Sequence, residues 1–587
     1  MPERCKEGFL YDLVDGDIFR NHPLFSIRPS ALQFILYTDE IELCNPLGSH
    51  AGKNKLLMVY YTLGNIDPKY RSKLSAIRLL AIAKSSDLSR YTVDVILDRI
   101  KKDLDVLYQG VKIQTAVGER TIYGAVISLC GDTLAQHEFA GFKEGVGFAL
   151  CKCRHCDCTA EDMQTNFDEK YFNKRTVEGH LRQCSDIEKA STDLVRNHLK
   201  TTYGINRRSS LVDFPGFNLI EQTPQDIMHI ILEGIAPMEI KCVLNHLILS
   251  GQIDLDTFNS AMYCFPYSPL DLRDRPCPIT ASTLSSNDNR LKQSSGQMLV
   301  LLKILPFLLN NVKDSEFVQF IIELVEITQI LLAPVISLHT IAQLKELIEQ
   351  HLKTFKQLFP EKNIIPKQHY LLHMPSQIAA LGPMVRHMCM RFESKHRFFK
   401  RWAAKLNFKN ICKTLIQHNQ RFECSQNVSG NQHPIFTKDR ELGPVSEASN
   451  IEYIRSKLRD SFGIDVQTAV SLKWLTLNSN KYMSHKSLII SGFDGQIPRF
   501  SLIRDIWKIK KKFFFEIQPY ETVAFRKDLH CYEVVIPNLA QANEVIDEDI
   551  VDFTAYHIVP FQGHKYVPLK YNINDVLLCR QTVNIQR

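Results

Sequence analysis

From residue 30 to residue 150 the chain sets short apolar runs around one long amphipathic stretch, in an order that few folds accept. "LQFILYT", "KLLMVYYTLG" and "IRLLAIAKS" are dense in aliphatic and aromatic residues and are divided by turn signals such as Gly64-Asn65, so three buried strands are predicted. "YTVDVILDRIKKDLDVLYQGV" repeats its apolar residues at helical spacing, with Val93, Val95, Ile96, Ile100, Leu104 and Leu107 on one face. "IYGAVISLCGDTLA" reads as a fourth strand. Three strands, a helix and a further strand indicate an α/β domain over 31–150.

The first and fourth strands both end on acids. Asp39 and Glu40 follow the first, ahead of a turn at Asn45-Pro46-Leu47-Gly48, and Asp132 closes the fourth. A strand running out into a solvated turn accounts for either acid alone. As a pair they fall where a ribonuclease-H-like fold places its first two metal-binding carboxylates, the third lying on a helix after the last strand. In-line phosphodiester chemistry with two divalent ions about 3.5–4 Å apart needs such a set, and carboxylate oxygens suit Mg²⁺ or Mn²⁺. Glu393, between the strand-like "RHMCMRF" and the helix-like "SKHRFFKRWAAKL", is the third acid on this reading. The alternative third acid is Glu233, in "DIMHIILEG".

The segments "YTDEIELCNPLGSHAGKNKLLMVYYTLGNIDPKYRSKL", "LCGDTLAQHEFAGFKEGVGFALCKCRHC", "TPQDIMHIILEGI" and "MRFESKHRFFKR" together resemble the transposases of CACTA (En/Spm-like) DNA transposons, in their animal branch, over roughly residues 15 to 425. The resemblance implies a ribonuclease-H-like DDE core that moves DNA by cut-and-paste strand transfer, with Asp39, Asp132 and Glu393 as its acids. It also implies a long insertion between the second and third acids. Such transposases usually carry a longer region before the first acid than this chain does. The alternative reading is therefore a host-adopted, catalytically inactive nuclear factor that binds DNA or protein. A third, a metal-dependent nuclease, shares the same acids.

"CKCRHC" and "GHLRQC" supply Cys153-x2-Cys156 and His180-x3-Cys184, two close pairs of the kind that hold tetrahedral Zn²⁺. A small insertion over 151–190 with no apolar core of its own needs such a staple, so structural zinc is expected, with Cys151 and Cys158 as substitute ligands. The resemblance adds His229 as a further ligand.

The rest of the chain reads as a helical insertion over 215–380, a last strand and helix of the core over 384–425, a linker over 426–464 and a small β-barrel over 465–587. Residues 1–30 read as an N-terminal remnant. "KHRFFKRWAAKLNFKNICK" interleaves Lys395, Arg397, Lys400, Arg401, Lys405 and Lys409 with aromatics, Phe398, Trp402 and Leu406 being taken as core and the basic side as a DNA face. "WKIKKKFFFEI" is read as a nucleic-acid or nuclear-targeting patch, or as a charged strand edge. Sixteen cysteines, several at metal-ligand spacing, without a leading apolar segment indicate a reduced, intracellular chain. No apolar run is long enough for a membrane, and the DNA-transposase resemblance implies nuclear localisation. The net charge of +7 fits a DNA partner. A homo-oligomer and a separate DNA-binding subunit are the further expected partners.

Overall fold

The structure is a computed structural model of the 587-residue chain. It describes residues 7–43, 54–313, 315–406, 408–428, 435–436, 440–447, 450–477, 480–495, 497–537, 543–548 and 554–584. The expected turn at Asn45–Gly48 lies outside the described residues. The chain is a mixed α/β protein of two compact units, Met1–Ile235 with Pro334–Thr437, and Ala236–Ala333 with Lys438–Arg587.

The first unit is built on a four-stranded sheet. Its strands are β1 (Leu32–Glu42), β2 (Lys55–Leu63), β3 (Arg78–Lys84) and β4 (Gly124–Cys130), in the order β3-β2-β1-β4. β1 pairs antiparallel with β2 and parallel with β4. Every residue of β4 is buried, as a parallel strand covered on both faces requires. Helix α1 (Asp94–Gln109) precedes β4, and a hairpin, Val111–Thr115 with Gly118–Ile122, separates the two. Helix α2 (Thr133–Ala140) follows β4 directly.

Leu36, Leu57, Val59 and Val126 of the sheet pack with Val93, Leu97 and Leu104 of the α1 segment and Phe139 of α2. The inward face of α1 thus includes Leu97, whereas Val95 is 60 % exposed, a rotation of the expected face. The Cys/His-rich segment continues into helix α3 (Val177–Glu188), and a π-helix spans Met228–Ile235. Helices α4 (Pro366–Leu371), α5 (Met374–Leu381) and α6 (Met390–Ala403) complete the parts that form the site.

No strand leads directly into Glu393. The run "RHMCMRF", expected to be extended, is already helical from Met390. The reason is periodicity: Phe392, His396, Phe399 and Ala403 are buried at helical spacing, and a strand over the same residues would break that face. Phe392 stacks on Tyr37 of β1 at 4.7 Å and Phe399 on Tyr60 of β2 at 5.9 Å, so α6 lies on the sheet by an aromatic seam. Residues 7–30 also belong to this unit. Asp12 forms a buried ion pair with Arg71, and Tyr11 O accepts from Arg386 Nε at 2.9 Å.

The second unit combines helices within 236–333 with three sheets of six, three and four strands, and among the described residues no closed barrel forms. Strands do run through 465–587, among them Leu488–Asp494, Ile497–Ile509, Lys512–Pro519 and Cys531–Val535. "WKIKKKFFFEI" is a hairpin, Ile509 pairing with Lys512, so Lys510 and Lys511 form its tip. The stretch read as a linker over 426–464 ends in helix, since Ile451–Phe462 is helical with Ile454 and Leu458 buried. Among the described residues no helix is long and apolar enough to cross a membrane.

Candidate metal centres

Asp39 and Asp132 are brought level by the register of two adjacent strands. In the parallel pairing of β1 with β4, Tyr37 lies opposite Cys130, and each acid comes two residues later. β1, expected to end at Asp39, continues to Glu42, and Gly131, just past β4, lies close against it, since a Cβ there would stand 3.0 Å from Thr38 O. Asp132 caps α2, accepting from Ala135 N at 2.7 Å, a common use of Asp at a helix start. Its carboxyl is raised by burial, opposed by the Ala135 bond and the His229 charge and reinforced by Asp39.

Glu393 sits in the first turn of α6, held beside Asp39 by the Tyr37–Phe392 stack. Burial pushes its carboxyl up to about 7, with His229 opposing and Asp39 and Glu233 adding to the rise. Asp39 therefore acts on both Asp132 and Glu393.

Two histidines close the site. His396, one turn after Glu393 on α6, is 3.0 Å from Asp39 Oδ2 through Nε2 and 2.9 Å from the Tyr60 hydroxyl through Nδ1. Tyr37 donates to the same Asp39 oxygen at 3.0 Å. His229, on the π-helix, presents Nε2 to Glu393 at 3.4 Å while Nδ1 contacts the buried Asp226 at 2.7 Å. Burial works against a charge on His229, but Asp226, Glu393 and Asp132 outweigh it and raise it to about 9. His229, expected near the zinc, belongs to the acid site instead. The alternative third acid, Glu233, is exposed on the same π-helix, 4.0 Å from His229 Nε2.

A cleft of about 570 Å³ opens over this group, lined on the acid side by Asp39 and Glu393 and on the next turns of α6 by Arg397, Lys400 and Arg401. Those three cations are exposed. Trp402, expected in the core, is 37 % exposed and stacks on His418 at 4.4 Å.

A clustering of acids has a price in stability without bound cations. A carboxyl raised from 4.5 to about 7 holds its proton more tightly when folded, so its contribution is complete below pH 4.5 and is lost as pH rises through 7. His229, raised from 6.5 to about 9, acts in the same direction over a higher window. With no divalent ion added, the melting temperature is expected to fall between pH 6 and pH 8. Glu393→Gln should raise it at pH 8 by about 2 °C or more, measured by calorimetry.

The second centre joins Cys153 and Cys156 to His369 and His373, all buried, with their ligand atoms within 4.8 Å of one another. The Sγ–Nε2 separations are 3.4 Å (Cys153–His373), 3.2 Å (Cys156–His369) and 3.5 Å (Cys156–His373), and the two Nε2 atoms are 3.3 Å apart. A tetrahedral zinc with bonds of about 2.3 Å to sulfur and about 2.05 Å to nitrogen sets such edges at about 3.6 Å and about 3.3 Å. The donor set fits structural zinc. His373 Nδ1 is 2.8 Å from Glu169 Oε1, the outer carboxylate that keeps Nε2 free for a metal.

His180 and Cys184, expected to complete this set, do not join it. They lie one turn apart on α3, where Cys184 packs among Ile187, Ile205 and Leu211 and the His180 ring meets Phe142 at 5.0 Å. Burial lowers His180 to about 4, so it is a neutral packed ring. Cys151 accepts from Arg175 Nη2 at 2.7 Å and Cys158 donates to Thr159 O at 3.2 Å, so neither thiol stands in for a ligand.

No known protein-family model matches the chain, and no curated protein is similar to it in sequence.

Proposed function

We propose that the first unit is a ribonuclease-H-like DDE core that cleaves or transfers DNA phosphodiesters, as the likeness to CACTA transposases implies. The observation that supports this reading best is the level placement of Asp39, within β1, and Asp132, just past the end of the adjacent parallel β4, with Glu393 packed beside them. Asp39, Asp132 and Glu393 would hold two Mg²⁺ or Mn²⁺ ions, and an oxygen-rich set on rigid elements suits those cations. Bound there, such ions activate the attacking oxygen and steady the leaving one. His396 and Tyr37 fix the rotamer of Asp39, and the Asp226 contact aims His229 at Glu393. Arg397, Lys400 and Arg401 give the DNA backbone a cationic track leading to the acids.

The test is nicking or strand joining of plasmid and oligonucleotide DNA with Mg²⁺ or Mn²⁺. DNA binding without cleavage in either metal would move the chain to the class of catalytically inactive DNA-binding factors, and absence of DNA binding would exclude both. Arg401→Glu is expected to weaken binding across all sequences and to reduce the slope of log K against log salt by roughly 1 for each phosphate no longer neutralised, measured by fluorescence anisotropy.

A further inference from the structure

Arg154 stands between the two zinc-binding cysteines and is completely buried, yet among the described residues no carboxylate pairs with it. Its Nε and Nη2 donate to Thr223 O at 3.2 and 3.1 Å, and Nη2 also reaches Pro224 O at 3.2 Å. Burying a guanidinium in this way is costly unless its bonds fix something. What they fix is a short strap, residues 219–225, that runs from the zinc centre to Asp226 and His229.

The strap is held from three sides. His155 Nδ1 lies 2.9 Å from Ile220 O, and Gln377 of α5 accepts from Gln225 N at 2.9 Å while its amide meets His155 Nε2 at 3.0 Å. From the sheet side, Leu129 N donates to Gln222 O at 2.8 Å and Gln136 Nε2 donates to Pro224 O at 2.8 Å. Directly beyond the strap, Asp226 takes the Cys389 N–H at 2.8 Å on one oxygen and His229 on the other. The Cys389 bond ties the strap to the start of α6, the helix that carries Glu393.

We propose that Arg154 is a positioning residue that transmits the geometry of the zinc centre to the acid site, by holding the strap from which Asp226 and His229 project. The proposal rests on the DDE reading of the acids. Through it the zinc centre does more than staple a loop: it sets where His229 and Glu393 meet. The guanidinium fork suits the task, since its rigid plane presents Nε and Nη2 together to Thr223 O and Pro224 O.

The test uses the full-length, zinc-loaded chain, with Mn²⁺ binding followed by electron paramagnetic resonance and hydrogen exchange read over 219–229. Arg154→Gln is expected to keep one zinc per chain, weaken Mn²⁺ binding about ten-fold, as loss of outer supports of metal sites does, and speed exchange in the strap. Arg154→Lys, which keeps the charge but loses the rigid fork, should fall between. Gln377→Ala loosens the strap from α5 and should act as Arg154→Gln does. A variant that holds zinc and binds Mn²⁺ like the wild type overturns the proposal. Loss of zinc in both Arg154→Gln and Gln377→Ala overturns it too, because the strap would then be part of the zinc fold rather than a link from it. A wild-type chain that binds no Mn²⁺ overturns instead the reading of the acids.

Discussion

Asp132→Asn is expected to abolish metal-dependent cleavage or joining of DNA while leaving the fold and DNA binding close to wild type. The separation is possible because the cap that Asp132 forms and the metal ligation proposed for it need different chemistry. As the cap of α2 it needs only an oxygen that accepts from Ala135 N, which Asn supplies as well as Asp. As a metal ligand at the strand end it needs negative charge, which Asn lacks. The expected loss in turnover is about a thousand-fold or more, on the order of 4 kcal/mol of transition-state stabilisation. Asp132→Ala is the useful contrast: it removes charge and cap together and should add about 1 kcal/mol of destabilisation. Turnover on labelled oligonucleotides, with melting of both variants, distinguishes the two. Wild-type turnover in Asp132→Asn would remove Asp132 from the catalytic set.

The parts of this site that are legible in the sequence are those set by local rules. β1 and β4 announce themselves as apolar runs, and their acids stand out because a carboxylate follows buried residues at once. Asp132 does lie past the end of β4, whereas β1, expected to stop at Asp39, runs on to Glu42 because β2 continues to pair with it. Glu393 stands out for a partly wrong reason, since the strand expected before it is the opening turn of α6. Short apolar runs such as "MCMRF" satisfy either period, and only the seam of Phe392 and Phe399 on Tyr37 and Tyr60 decides the matter.

His396 and Asp226 are not legible. Each is one polar residue on a helix or at its start, and its meaning comes from Asp39, His229 or Cys389, which lie elsewhere in the chain. The second unit shows the same division. Its strands are readable one by one, but which sheet each joins depends on pairings such as Val470 with Lys508, which no local pattern encodes, and the expected barrel gives way to separate sheets. The Cys/His cluster that could hold zinc illustrates it most sharply. "HLRQC" and "HYLLH" have the same one-turn spacing, and the pair nearer in sequence to Cys153 and Cys156 is the natural choice. The pair that meets them in space is more than two hundred residues away.

That difference gives the second large expected effect. His369→Ala and His373→Ala should each reduce zinc in the purified chain from about one per molecule to nearly none, whereas His180→Ala and Cys184→Ser should retain it, measured by elemental analysis under reducing conditions. Structural zinc contributes apparent binding energies of about 10–16 kcal/mol in finger peptides, comparable to the whole stability of a domain at about 5–15 kcal/mol. Only part of that is felt here, because the surrounding residues have an apolar core to lean on, including Met163, Phe172 and Tyr370. A drop in melting temperature on the order of 10 °C or more is still expected. Cys184→Ser and His180→Ala should destabilise as well, through weaker packing beside Ile187 and Phe142, so melting alone does not discriminate. Zinc content does: a chain that keeps its zinc without His369 would return the fourth-ligand question to α3. A chain that loses it would establish that the zinc centre spans the long insertion, tying the loop after α2 to the helices just before α6 and so to the element that carries Glu393.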